Sequence, residues 1–85
     1  MPNQSDAHGD GNPEVVHNAA EHRFEIDKNG QLSVLEYVFK KHRIFFKHTE
    51  VPPPLRGQGL GTKLAYAALE YTRRNGLVAV AICPF

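Results

Sequence analysis

Apolar residues are sparse in the first twenty positions and then arrive in runs separated by short polar breaks. "HRFEID" (22–27) is a short strand candidate, and "QLSVLEYVFK" (31–40) is a second, dense in Val, Leu, Tyr and Phe. Between them lies Asn29-Gly30, the strongest short hairpin signal because both residues tolerate positive φ. After "KHR" comes "IFFKHTEV" (44–51), a third strand. These connections are too short for crossovers, so the three strands are expected to form an antiparallel meander.

The period then changes. Pro52, Pro53 and Pro54 end the third strand, since proline lacks the amide a ladder needs. From 59 to 75, Leu60, Leu64, Ala67, Ala68 and Tyr71 fall on one face of a helix. Glu70 is placed to pair with Arg73 or Arg74 on the other side. Asn75-Gly76 supplies the C-terminal stop. "LVAVAIC" (77–83) is a nearly all-apolar fourth strand, suited to a buried place beside a parallel neighbour. The expected order is β-β-β-α-β, an α+β fold whose last β-α-β unit makes a right-handed crossover.

Length allows one domain: the chain has 85 residues. Residues 1–20, rich in Asn, Asp, Gly, Pro and His, are expected to be a disordered tail, and residues 21–85 the folded domain. A domain of that size buries only about 60% of its unfolded surface. No apolar run is long enough for a membrane helix, and the N-terminus lacks the basic start and apolar centre of a signal peptide. A single cysteine, Cys83, excludes an internal disulfide framework and a CxxC metal site, and the histidines of the tail have no ligand spacing. No metal is expected. A reducing, cytoplasmic location is. The net charge of +1 argues against wholesale nucleic-acid binding; the one basic cluster, "KKHR" (40–43), reads as a solvated turn.

The chemistry is concentrated where the glycines are. "RGQGLGT" places Gly57, Gly59 and Gly61 between a strand and a helix. The first amides of a helix lack intrahelical acceptors and carry partial positive charge, and glycine lets a phosphate approach that backbone. Arg56 adds a fixed charge and Thr62 a hydroxyl. A P-loop requires GxxxxGK[ST], and here Thr62-Lys63 has the wrong order and spacing; a dinucleotide fingerprint requires GxGxxG and a later acid, and both are missing. The bland alternative is a flexible strand-to-helix connection. A third pattern fits. Arg56-Gly57-Gln58-Gly59-Leu60-Gly61 resembles the [Q/R]-x-x-G-x-[G/A] pyrophosphate loop of the GNAT superfamily of acetyl-CoA-dependent N-acetyltransferases. "RFEI", "HTEVPPPLRGQGLGTKLAYAALEYTRRNGL" and "CPF" are similar to the small, single-domain members of that superfamily, over residues 23–85. Those relatives continue past C-P-F with a short helix, whereas this sequence stops at Phe85, so the resemblance implies a minimal GNAT-like fold lacking the final helix.

The resemblance implies that acetyl-CoA lies between the third and fourth strands, adjacent, parallel and splayed at one end. Its pantetheine would pair with backbone around Thr49 to Val51. Its pyrophosphate would sit on the loop of Arg56, Gly57, Gln58, Gly59, Leu60, Gly61 and Thr62. An unidentified amine would accept the acetyl group by direct transfer. Glu50, at the end of the third strand, is the candidate base; its bland alternative is an exposed strand end. His48 shares a strand face with Glu50 and is weighed as a surface or packing residue. Cys83 is a second candidate catalytic residue, lining the cleft, the alternative being a small buried hydrophobe. Two rival functions remain open: a non-enzymatic acyl-CoA-binding or interaction module, and a small nucleic-acid-associated protein using "KKHR".

Overall fold

The computed structural model describes residues 14–81. It contains one five-stranded sheet in the order β1-β2-β3-β4-β5, with one helix against it. The strands are β1 (Val16–Asn18), β2 (Arg23–Lys28), β3 (Gln31–Lys40), β4 (Arg43–Glu50) and β5 (Val78–Ala81); the helix α1 is Leu60–Arg74. β1 to β4 pair antiparallel and β5 joins β4 in parallel, with α1 in the connection. The expected meander and parallel end are therefore present, and the fold is a small α+β sheet-and-helix pair.

Local chemistry explains the turns. Asn29 (φ 56°) and Gly30 (φ 76°) both take the left-handed conformation that matches the twist of the β2–β3 hairpin. The β3–β4 hairpin closes at the Lys40–Arg43 pair, with Lys41 left-handed at φ 59°.

The helix covers one face of the sheet. Phe24 and Ile26 of β2, Leu35 and Tyr37 of β3, and Ile44 and Phe46 of β4 pack with Leu60, Leu64 and Ala68 of α1. Each large apolar side chain so buried contributes about 1.5–3 kcal/mol. Thr72 continues this stripe, and its Oγ1 donates to the Ala68 carbonyl at 2.8 Å, so the helix carries its own acceptor for a buried hydroxyl. Glu70 pairs with both Arg73 and Arg74, as the spacing implies.

β5, expected in a buried place, is instead the edge of the described sheet, with Val78, Ala79 and Ala81 exposed. Two further features differ from expectation. The ordered structure begins before residue 21: β1 pairs with β2 from Val16–Glu25 to Asn18–Arg23, and a 3-10 turn at Ala19–Glu21 leads into β2. Three residues in a polar stretch carry too little local signal for a strand, and what holds them is contact with distant parts of the chain. Residues 1–13 lie outside the described residues, as do Ile82 and Cys83 of the expected fourth strand.

The last difference is a bulge. Tyr37 pairs with Phe46, but the next β3 residue, Glu36, pairs with His48. Lys47 is thus the extra residue of β4. The bulge reverses the facing of everything after it. Thr49, opposite Leu35, turns toward the helix, while His48 and Glu50 turn to the open face of the sheet.

Candidate active site

The segment after β4 makes a compact loop from local bonds. Pro53–Leu55 form one 3-10 turn, with Leu55 N–H donating to the Pro52 carbonyl at 2.9 Å and Arg56 N–H to the Pro53 carbonyl at 3.2 Å. Leu55 is buried and pins this turn to the core. Arg56 Nε then donates to the Val51 carbonyl at 2.9 Å, tying the two ends of the turn together.

Gly57 (φ 83°) and Gly59 (φ 78°) both hold left-handed backbone that a side chain resists, and a Cβ at either would meet nothing within 4 Å. Conformation, not crowding, requires glycine here, and the space beside the backbone is open. Gly59 is the N-cap of α1 and provides no side-chain cap, and the first turn of the helix has no acidic residue. Its positive end is therefore uncompensated by the helix's own side chains. Val51, Arg56, Gly57, Gly59, Gly61 and Thr62, with Leu55 and Leu60 behind them, line a groove of about 340 Å³. Arg56 and Thr62 supply the polar side chains of this lining.

The expected loop residues are thus brought together with one exception in orientation. The Gln58 side chain accepts from Lys28 Nζ at 2.7 Å, which bonds the loop to the β2–β3 hairpin. Thr49 is on another surface: with Phe46, Ala65, Ala68 and Leu69 it lines an apolar cavity of about 180 Å³ between α1 and the strands. Glu50 is on the opposite side of the sheet from that cavity, where its Oε1 lies 3.3 Å from His48 Nε2. The side chains of His48 and Glu50 are 53% and 66% exposed. Cys83 lies outside the described residues.

The end of β4 therefore separates three surfaces. The described β4–β5 ladder ends at Phe46–Ala81, while β4 continues to Glu50 on β3. Among the described residues, the β4 backbone beyond Phe46 has a strand partner on one side only. The bulge at Lys47 bends the strand at this point. Neither the bulge nor the facing it imposes is written in "IFFKHTEV", because alternation without a bulge puts His48 and Glu50 on the core face.

A second polar constellation was missed from the sequence because it includes β1. Arg23 Nε donates to Glu25 Oε2 at 2.5 Å and Asn18 Nδ2 donates to the same oxygen at 2.8 Å. These bonds, that from Arg23 foremost, hold the Glu25 carboxyl below the usual carboxylate range. No group of three or more His, Cys, Asp or Glu suited to a metal ion occurs among the described residues.

A family model described as GCN5-related N-acetyl-transferase matches residues 23–85. Protein NATD1 of Xenopus tropicalis is 34% identical over 73 residues, covering 81% of this chain and 66% of that protein. Protein NATD1 of Gallus gallus is 36% identical over 73 residues, covering 82% and 66%. Protein NATD1 of Homo sapiens is 36% identical over 72 residues, covering 81% and 64%. The match spans about two thirds of the length of these relatives.

Proposed function

The chain belongs to the GCN5-related N-acetyltransferase family, and we propose that it binds acetyl-CoA and transfers the acetyl group directly to an amine. The groove at the start of α1 carries this reading, because its two left-handed glycines leave open space beside an uncapped helix terminus. When bound there, acetyl-CoA would supply an activated thioester.

The chain's own residues supply the rest. Amides of the Gly57–Thr62 loop and the Arg56 guanidinium are suited to the pyrophosphate. By family likeness, the coenzyme's extended, amide-bearing arm would lie along β4 near Thr49 and Val51, added in the manner of a strand. Transfer forms an N–C bond and breaks the thioester C–S bond, whose electron pair leaves on the CoA sulfur to be protonated to the thiol from solvent, and the amine nitrogen gives up a proton. Glu50 is the proposed acceptor of that proton, with His48 beside it able to hold Glu50 in place or relay the proton. Cys83 takes no covalent part in this scheme.

The exposure of Glu50 and His48 favours a second reading, in which the same groove binds acyl-CoA without turnover. Two measurements separate them. Calorimetric titration with CoA is expected to show binding under either reading. Thioester consumption with a panel of amines is expected only for the enzyme, and Glu50→Gln is expected to lower it by 10²-fold or more, the lower end of general-base contributions. Consumption at wild-type rate in Glu50→Gln would remove Glu50 from the chemistry. An acetyl adduct on the intact protein, formed with acetyl-CoA alone and lost on adding amine, would replace direct transfer by a covalent route.

A further inference from the structure

The β3–β4 turn holds cations under conditions that local structure alone does not favour. Lys40 and Arg43 face each other directly across the register, and like charges so placed destabilise a strand pair. Lys41 occupies a left-handed position that the β2–β3 hairpin of the same molecule fills with Asn29. The described ion pairs join Arg23 to Glu25, His48 to Glu50, and Arg73 and Arg74 to Glu70; none relieves Lys40, Lys41 or Arg43. These cations and His42 surround a concavity of about 480 Å³ against Phe45.

The pairing pattern places this concavity on the same face of the sheet as the candidate base. Lys40 with Arg43, Val38 with Phe45, and Glu36 with His48 all project from the face that α1 does not cover. That face is basic at the turn. It is apolar in its middle, where Val38 and Val78 are exposed, and net acidic beyond, where Glu25, Asp27, Glu36 and Glu50 outnumber Arg23, which is itself paired with Glu25. Resting on the function proposed above, we infer that this face docks the acetyl acceptor as an extended acidic peptide, with carboxylates at the Lys40–Arg43 turn and the amine at Glu50 and His48.

Charge complementarity selects this occupant. A single-stranded nucleic acid carries one sign of charge along its length, and its phosphates would meet Glu36 and Glu50 after leaving the turn. A second copy laid face to face would cover the side chains that the transfer requires. A peptide with opposite charges at separate positions matches both ends. Arg43 and His48 are roughly 15 Å apart along β4 at ordinary strand rise, so the lysine and the acidic residues of the acceptor stand four or five residues apart.

The test uses the full chain and blocked twelve-residue peptides, without acetyl-CoA. One peptide has a single lysine and three glutamates beginning five residues away; a second has glutamines in place of the glutamates; a third has norleucine in place of lysine. The acidic lysine peptide is expected to shift amide resonances at 40–45 and at 48–50, and to bind at least tenfold tighter than the glutamine version. The norleucine peptide is expected to leave 48–50 unshifted. The Lys40→Glu, Arg43→Glu double variant, and the milder Lys40→Gln, Arg43→Gln pair, should lose the preference for glutamates while retaining CoA affinity. Equal binding of the first two peptides, or a preference that survives both double variants, would overturn the inference. So would a tighter complex with an oligonucleotide at 40–45, or a dimer that shields the same amides. CoA binding is measured separately, so failure of the coenzyme reading and failure of the peptide site remain distinct.

Discussion

The imidazole of His17 stacks on the ring of Phe24, with centroids 4.3 Å apart and planes 10° from parallel. Its Nε2 is in hydrogen-bond contact with the Tyr37 hydroxyl at 2.5 Å, and Tyr71 of α1 meets it edge-on at 4.5 Å. A residue from the polar N-terminal stretch thus joins β1, β2, β3 and α1 in one aromatic cluster.

Loss of that cluster is measurable. His17→Ala removes a ring stack of about 0.5–1.5 kcal/mol and a hydrogen bond of similar worth, so a destabilisation of about 1–3 kcal/mol is expected in urea unfolding. A change below 0.5 kcal/mol would mean that the stack contributes nothing.

The same residue makes stability depend on pH. Burial lowers the pKa of His17, so the unfolded chain binds its proton more readily than the folded one. Stability from this source is complete above the unfolded value of about 6.5 and is lost as pH falls through it toward the native value. Unfolding free energy should therefore drop between pH 7.5 and 5.5, and the drop should shrink in His17→Phe. The lowered Glu25 pKa acts in a separate window, below about 4.3, where protonation removes its preference for the folded state. An identical slope in wild type and His17→Phe over pH 7.5–5.5 would contradict the assignment.

Removing residues 1–20 takes away β1 and His17 together and leaves β2 as the sheet edge. The denaturation midpoint is expected to fall by an amount equal to or larger than that of His17→Ala. An unchanged midpoint would show that β1 adds no stability.

At Gly59 the expected effects on folding and on binding differ. Gly59→Ala meets no neighbour but must hold φ near 78°, at a cost of about 1–2 kcal/mol of stability. Gly59→Asp adds negative charge at the N-cap, and CoA affinity is expected to fall at least tenfold, about 1.4 kcal/mol. Full affinity in a folded Gly59→Asp protein would remove the pyrophosphate from this loop.

Ser33 is completely buried, and its Oγ has no hydrogen-bond partner among the described residues. Ser33→Ala deletes the unsatisfied hydroxyl with little change of shape. A stability gain of up to about 1 kcal/mol is expected by thermal unfolding. A loss of more than 1 kcal/mol would show that the hydroxyl is satisfied in solution.

Much of the molecule is legible one element at a time. Asn29-Gly30 specifies its hairpin, the spacing of Leu60, Leu64 and Ala68 specifies the buried stripe of α1, and the glycines from 57 mark the loop before the helix. These signals are local: a turn conformation, a 3.6-residue period and a backbone angle are each set within a few residues.

Tertiary structure decided the rest. Val16–Asn18 becomes a strand because His17 finds Phe24 across a short connection and Tyr37 and Tyr71 from distant parts of the sequence. Thr49 and Glu50 exchange faces because β4 carries one residue more than β3 across Glu36 and Tyr37. Strand register and edge pairing depend on which distant residues meet, and a period of two read along a single strand carries no record of the partner.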